Sequence, residues 1–201
     1  MIHLLDSGHG GIVGGKYTTA PDKMFIHQGH FTFYEGEFNR MIKKEVSELL
    51  TQQGIKWVDV CPTNLDLGLD NRVDFANSLQ KDYGNCLYWS FHSNATDTHN
   101  ATGFEVWTSV GQTESDKYAE MLAKAIKKDF PEEKFREDMS DGDLDKESEF
   151  YVLKWTRCPA VLLESLFFDN YTDAQKLINA GWRHRLCACI LGVIMQIELM
   201  K

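Results

Sequence analysis

Residues Leu4 to Lys16 read LLDSGHGGIVGGK, and how this stretch is taken decides both the fold and the chemistry. Ile2 to Asp6 is a short apolar run closed by glycines, the pattern of a buried strand. Beyond it, Gly10, Gly15 and Lys16 stand at the glycine and lysine positions of a phosphate-binding loop, whereas Asp6 and His9 offer a metal site at a strand end. A phosphate loop also needs a Ser or Thr after the lysine and a helix whose N-terminus meets the phosphates. Here Tyr17 follows Lys16. Thr18-Thr19-Ala20-Pro21 then starts a helix poorly, because β-branched residues precede a proline within the first turn. Both requirements fail, and the metal reading is left standing.

The rest of the chain alternates strands with helices. Gly8 to Tyr34 is rich in Gly, Thr and His and reads as a long loop. Glu35 to Gln53 carries Phe38, Met41, Ile42, Val46, Leu49 and Leu50 at helical spacing, with Gly54 as its stop. Ile55 to Val60 reads as a strand and Leu67 to Lys81 as a helix. Cys86 to Phe91 is a buried strand running directly into His92-Ser93-Asn94. Phe104 to Thr108 is a strand, Ser115 to Phe130 a helix, and Pro131 to Glu149 an acidic, non-periodic and mobile surface excursion. Val161 to Leu163 forms the last buried strand, ending at Glu164, with two helices after it. This order predicts one α/β domain over residues 1–201, with a mostly parallel twisted sheet flanked by helices on both faces.

Composition narrows the partners. At 201 residues, 43% hydrophobic and 25% charged, the chain has ordinary globular composition. A net charge of -9 argues against a nucleic-acid partner, since phosphate backbones are bound by clustered Lys and Arg. The most apolar segment, Leu186 to Met195, is well short of the ~20 residues that span a bilayer and reads as a buried C-terminal helix. The start of the chain lacks the basic and apolar regions of a signal peptide, so synthesis in the cytoplasm is expected. Five scattered cysteines without a CxxC pair read as small buried apolar residues rather than a zinc knuckle or disulfide framework.

In open α/β sheets ligands sit at the carboxyl ends of the strands. His9 follows the first strand, His92 the central one and Glu164 the last, while Glu35 opens the first long helix. Two imidazoles and one carboxylate make a catalytic zinc set with a fourth position for water, and a further carboxylate can move protons. Taken singly, each residue has an ordinary explanation. A strand-end histidine commonly packs or hydrogen-bonds, and a glutamate in a first helical turn favours the helix dipole. Glu164 is the least ordinary, because a carboxylate closing Ala160-Val161-Leu162-Leu163 is costly unless paired or functional. No local zinc motif such as HExxH is present, so the residues by themselves lead to a hydrolytic metal site and stop there.

Ordered motifs take the reading further. Leu5-Asp6-Ser7-Gly8-His9-Gly10-Gly11, Glu35-Gly36-Glu37-Phe38-Asn39, Leu69 to Asn77, Ser90-Phe91-His92-Ser93-Asn94-Ala95, Gly103-Phe104-Glu105-Val106 and Pro159-Ala160-Val161-Leu162-Leu163-Glu164 occur in this sequence and spacing. Together they resemble the zinc-dependent N-acetylmuramoyl-L-alanine amidases that cleave bacterial peptidoglycan. The resemblance implies that His9, Glu35 and His92 hold zinc and that Glu164 is catalytic. In its E-x-x-x-N register Glu35, rather than Glu37, is the ligand. Ser7 stands for a common proline, and Leu166 stands where many members have glycine.

Further expectations follow from that likeness. Asp6 is a candidate to receive the outer N–H of a zinc-bound histidine, with a strand-end turn as its ordinary alternative. Asn94 and Arg136 are candidates for substrate contact. His27 and His30 form a competing pair, but their glycine-containing loop favours a pocket-rim or solvent role. The expected substrate is a muramyl peptide of the bacterial wall, cut by a monomer in wall remodelling or in phage lysis after release through a separate pore. Two other readings remain open at this point. A different zinc peptidase, such as a carboxypeptidase, would need an arginine clamp, for which Arg72, Arg136 and Arg157 are available. A non-catalytic wall-binding module would keep the site without turnover.

Overall fold

Alternation along one strand, Cys86–Asn94, organises the molecule, whose computed structural model describes residues 1–140 and 142–200. The chain begins with β1 (Ile2–Ser7) and two hairpins, β2 (Ile12–Val13) with β3 (Lys16–Tyr17) and β4 (Met24–His27) with β5 (Phe31–Tyr34). There follow α1 (Glu35–Gln52), β6 (Trp57–Asp59), α2 (Leu69–Tyr83), β7 (Cys86–Asn94), β8 (Glu105–Thr108) and α3 (Glu114–Asp129). The chain closes with β9 (Lys146–Glu147), α4 (Tyr151–Trp155), β10 (Ala160–Phe167), α5 (Tyr171–Leu177) and α6 (Ala180–Leu199). Six strands form one sheet in the order β6-β1-β7-β10-β8-β9, parallel throughout except where β10 meets β8.

Side chains of period two divide the sheet's faces. On one face Leu5, Leu87, Trp89, Phe91, Val161 and Leu163 join the larger core, built with α1, α3 and α6 through residues such as Ile42, Leu122 and Ile190. On the other, Leu4, Tyr88, Ala160 and Leu162 pack beneath Val73 and Ala76 of α2 and Val152 and Leu153 of α4. α2 and the five-residue α4 cover only part of that face. Ser90, His92, Asn94 and Glu164 continue the same alternation past the covered part, towards the carboxyl ends of the strands. At the opposite end, buried His3 accepts at Nδ1 from the Trp89 indole and meets Glu198 of α6 through Nε2, both at 3.0 Å. That contact ties the last helix to the first strand.

The mostly parallel α/β sheet agrees with expectation, and α6 buries Leu186, Ile190, Val193 and Ile194. All five cysteines are free and buried. Among the described residues no helix is long and apolar enough to cross a membrane. Three expectations need correction. Gly8 to Tyr34 is not one loop but carries the two hairpins. Gly14 and Gly15, with φ of 57° and 79°, are the two-residue turn of the first, where both central residues need positive φ. The segment 131–149, of which residue 141 lies outside the described residues, is held down rather than free. Phe135 bridges to Phe104, β9 forms the sheet edge, and Arg136 and Lys146 both pair with buried Glu105. The last strand, finally, runs beyond Glu164 to Phe167, with an irregularity between those two residues.

Candidate active site

The turn after β1 sets the position of the first histidine. His9 has φ 66°, a left-handed conformation uncommon outside glycine, and lies beside Glu35 at the start of α1. Gly8 leaves room for a neighbour, since a β-carbon there would lie 2.0 Å from the His92 ring. Gly36 does the same for the chain, as its β-carbon would lie 1.8 Å from the Gly10 carbonyl oxygen. α1 has no side-chain N-cap of its own. Instead the Tyr17 hydroxyl accepts from the Gly36 N–H at 2.9 Å and donates to the Lys23 carbonyl at 3.0 Å. The residue that spoiled the phosphate-loop pattern thus satisfies one of the orphan donors of a helix start. Burial pushes its phenol up to about 12.

His9, Glu35 and His92 converge, with ligand-capable atoms within 4.8 Å of one another. Glu35 Oε1 lies 3.3 Å from His9 Nε2 and 3.0 Å from His92 Nδ1, and the two imidazoles stand edge to face at 5.0 Å. Among the described residues this is the one such cluster of His, Cys, Asp or Glu. Asn39 fixes Glu35 from one turn along α1, its amide donating to Glu35 Oε1 at 3.3 Å and to the Gly8 carbonyl at 3.0 Å. Glu37 points elsewhere and accepts the Ile12 N–H at 2.7 Å. Burial alone would raise the Glu35 carboxyl, but hydrogen bonds and charge from His9 and His92 outweigh it and hold the carboxyl low. Its Oε2 is buried and without a partner.

Glu164 sits next to this cluster. Its Oε2 is also buried and unpartnered. Burial, and secondarily the charge of Glu35, pushes its carboxyl well above the usual carboxylate range, with Lys23 opposing. Lys23, in a left-handed turn at φ 57° before β4, went unnoticed in the sequence because nothing in its neighbourhood is periodic. His9, His92, Glu164, Lys23 and Asn94 line a cleft of about 600 Å³, whose far wall is made by Leu67–Leu69 and Phe150–Val152.

Asp6 touches neither histidine. Its Oδ1 pairs with Arg72 of α2 and its Oδ2 accepts from Ser90 at 3.0 Å. Ser90 Oγ in turn lies 3.1 Å from His92 Nε2, so Asp6 reaches His92 through a hydroxyl. Arg72, 1% exposed, also donates to the Ser7 carbonyl at 2.7 Å and the Leu67 carbonyl at 2.9 Å, which locks the turn that presents His9. Asn94 donates to Glu105 Oε2 at 2.8 Å while lining the cleft. Arg136 does not line it, because its guanidinium is engaged by Glu105 at 2.7 Å. Arg72 and Arg136 are therefore unavailable as a carboxylate clamp, and Arg157 lies outside the cleft lining. His27 is buried with Nε2 2.9 Å from the Phe168 carbonyl oxygen, contrary to a rim or solvent role. His30 is exposed near the Tyr171 hydroxyl, and neither residue joins the cluster.

Two imidazoles and a buried glutamate that could hold a metal ion, beside a second carboxylate, thus meet in one cleft at the carboxyl ends of a parallel sheet. The family model described as N-acetylmuramoyl-L-alanine amidase matches residues 4–196, and the chain belongs to that family. It is 30% identical over 187 residues to the N-acetylmuramoyl-L-alanine amidase LytC of Bacillus subtilis (strain 168), covering 87% of this chain and 35% of that one. It is 27% identical over 176 residues to a probable cell wall amidase, LytH, of Staphylococcus epidermidis, covering 88% of this chain and 50% of the relative. The chain thus spans half or less of the length of these curated relatives. Among solved structures, the N-acetylmuramoyl-L-alanine amidase of Clostridium difficile 630 superposes with a TM-score of 0.77 at 25% identity, covering 100% of this chain and 97% of that one.

Proposed function

We propose that residues 1–201 act as one catalytic unit, a zinc-dependent amidase that hydrolyses the bond between the lactyl group of N-acetylmuramic acid and L-alanine in peptidoglycan. The observation that carries this reading is the convergence of His9, Glu35 and His92 within 4.8 Å beside the unpaired Glu164 carboxylate. Two nitrogens and one carboxylate oxygen are the donors of a catalytic zinc site, and the buried, partnerless Glu35 Oε2 is a group that a cation would satisfy. When bound, zinc supplies Lewis acidity, polarising the amide carbonyl and acidifying water.

The chain's own groups do the rest. Glu164 takes a proton from the attacking water and returns it to the departing amine of L-alanine. Its Oε2, buried beside the cluster and bonded to no other group, is available to carry a proton between those two steps. Ser90, held by Asp6, keeps the His92 ring in one orientation. Asn94, held by Glu105, offers a fixed amide edge in the cleft for a substrate carbonyl or acetamido group. All of these groups come from one polypeptide, which fits a monomer working on the bacterial wall. Incubating the protein with purified cell walls tests the proposal. New L-alanine amino termini should appear, and a zinc chelator should abolish them. Absence of such termini with metal-loaded protein overturns the reading.

A further inference from the structure

The far wall of the cleft is apolar and aromatic, and no step of the proposed reaction uses it. Phe150 and Tyr151 line the cleft while 40% and 41% exposed, and Leu69, on the first turn of α2, lines it at 53% exposed. Trp155, 55% exposed, extends the same surface one turn along α4, 6.3 Å from the Tyr151 ring. Large apolar side chains left in water side by side mark a binding surface. This one is stiff. The Phe150 ring rests on Trp107 at 5.3 Å, and the Trp107 indole donates to Glu105 at 3.2 Å. The Phe150 carbonyl accepts from both Leu153 and Lys154, each at 2.9 Å, so the ring's backbone is part of the helix start.

From this arrangement we infer that Phe150, Tyr151 and Trp155 form a saccharide-stacking platform that seats the glycan strand of the substrate, with Asp66 at its edge taking hydroxyl hydrogen bonds. The inference rests on the amidase reading for its substrate, and deepens it by assigning the sugar side of the cleft. A pyranose ring offers an apolar face of C–H groups to a flat aromatic ring and a rim of hydroxyls to acceptors. Rigid aromatic rings supply such contact at low entropic cost. Asp66 lines the cleft next to Leu67 and keeps acceptor capacity beyond its bond from Thr19 and its 3.8 Å pairing with Arg72. A peptide stem is a poorer match for this wall. The stem is anionic, and of the two cations lining the cleft Arg72 is engaged by Asp6, leaving Lys23, which sits on another element. On α4 itself Lys154 is paired with Glu149.

The test is binding of peptide-free glycan strands, which carry no scissile amide, to the wild-type protein and its variants, read by isothermal titration calorimetry. Tyr151→Ala and Trp155→Ala should each weaken binding at least ~10-fold, and Tyr151→Phe should retain it, because the ring and not the hydroxyl makes the contact. In parallel, the ratio of kcat/KM on a disaccharide-peptide to that on a lactyl-peptide without sugar should fall ~10-fold in Tyr151→Ala. Equal binding by wild type and Tyr151→Ala, or an unchanged ratio, overturns the platform. A loss in Tyr151→Phe equal to that in Tyr151→Ala also overturns it. Thermal melts of each variant exclude unfolding as the cause. If walls are cleaved but glycan binding ignores these rings, only the platform falls. If the rings govern glycan binding but no L-alanine termini appear, only the amidase reading falls.

Discussion

Glu164 of β10 stands directly across the ladder from His92 of β7, and across from Glu105 of β8 on its other side. Neighbouring strands lie about 4.8 Å apart, so sheet geometry rather than a loop sets the spacing between the proposed proton carrier and His92 of the proposed metal cluster. Glu105 completes this row by holding Asn94, Arg136 and Lys146. Past Glu164 the ladder becomes irregular, and Leu166 sits at φ 58° with its side chain fully buried. This is where many family members have glycine. The backbone here is one that glycine adopts freely, and burial of the leucine side chain in the main core offsets the ~1–2 kcal/mol that a left-handed residue costs.

Replacing Glu164 by glutamine separates metal binding from proton transfer. Shape and burial stay the same, but the proposed proton shuttle is gone. Turnover on cell walls should fall by ~10²–10⁴-fold, the usual contribution of a positioned general acid or base. Zinc content after dialysis should stay at the wild-type level, since Glu164 is not among the three converging residues. Wild-type turnover by a metal-loaded Glu164→Gln protein would remove Glu164 from the mechanism.

Gly8→Ala probes the room around His92. The added β-carbon would lie 2.0 Å from the imidazole, so the ring has to swing away from Glu35. No left-handed strain opposes the change, because the backbone at Gly8 is not in the positive-φ region. The variant should therefore fold, with a melting temperature within a few degrees of wild type, while zinc affinity drops at least ~10-fold. A competitive chelator titration measures the affinity. Unaltered zinc binding would mean that His92 is free to move without consequence for the site.

The elements legible in the sequence were those with many residues per signal. α1 repeats its apolar face from Phe38 to Leu50, and β7 and β10 are long apolar runs, so their carboxyl ends and the groups on them could be placed by reading alone. The hairpin strands Ile12–Val13 and Lys16–Tyr17 are too short for periodicity to show, although Gly14-Gly15 carries the turn signal. α4 has five residues and β9 two, and both are defined by what they pack against. The partners of the residues around His9 and His92 were hidden for a different reason. Arg72 meets Asp6 from 66 positions away, and Ser90 meets it from 84, so neither contact leaves a local pattern. Lys23 and the aromatic wall likewise depend on tertiary placement.

Two substitutions around Asp6 should differ in kind. Asp6→Asn takes from Arg72, 1% exposed, its nearer and buried counter-charge, leaving only the partly exposed Asp66 at 3.8 Å, and breaking a buried pair on one side costs about 3–5 kcal/mol. Ser90→Ala removes only the hydroxyl between Asp6 and His92, which costs about 1 kcal/mol of stability. Its larger effect should be on the metal, with affinity lowered ~10–100-fold as His92 loses its outer support. Urea unfolding and zinc titration of both variants check the split. Equal stability losses in the two proteins would show that the Arg72 pair does not anchor the turn.

Asp145 makes the edge of the sheet sensitive to pH. It is 2% exposed, its Oδ2 accepts from Thr108 at 2.8 Å, and its Oδ1 has no partner. Burial, aided by the charges of Asp143 and Asp116 and opposed by the Thr108 hydrogen bond, pushes its carboxyl from 3.8 up to about 7. A folded-state value above the unfolded one means the folded protein holds a proton that the unfolded chain has released. Its stabilising contribution is therefore complete below pH 3.8, declines as pH rises, and is gone once pH passes about 7. Asp145→Asn keeps the acceptor for Thr108 and has nothing to ionise, so it should match wild type near pH 4 and exceed it at pH 8. The expected gain at pH 8 is about 1–2 kcal/mol, reduced from the ~1.4 kcal/mol per pH unit of the full shift because the carboxylate can relax towards water. Denaturant midpoints at the two pH values decide it. A variant less stable than wild type at pH 8 would mean that Asp145 is charged and paired in the folded protein.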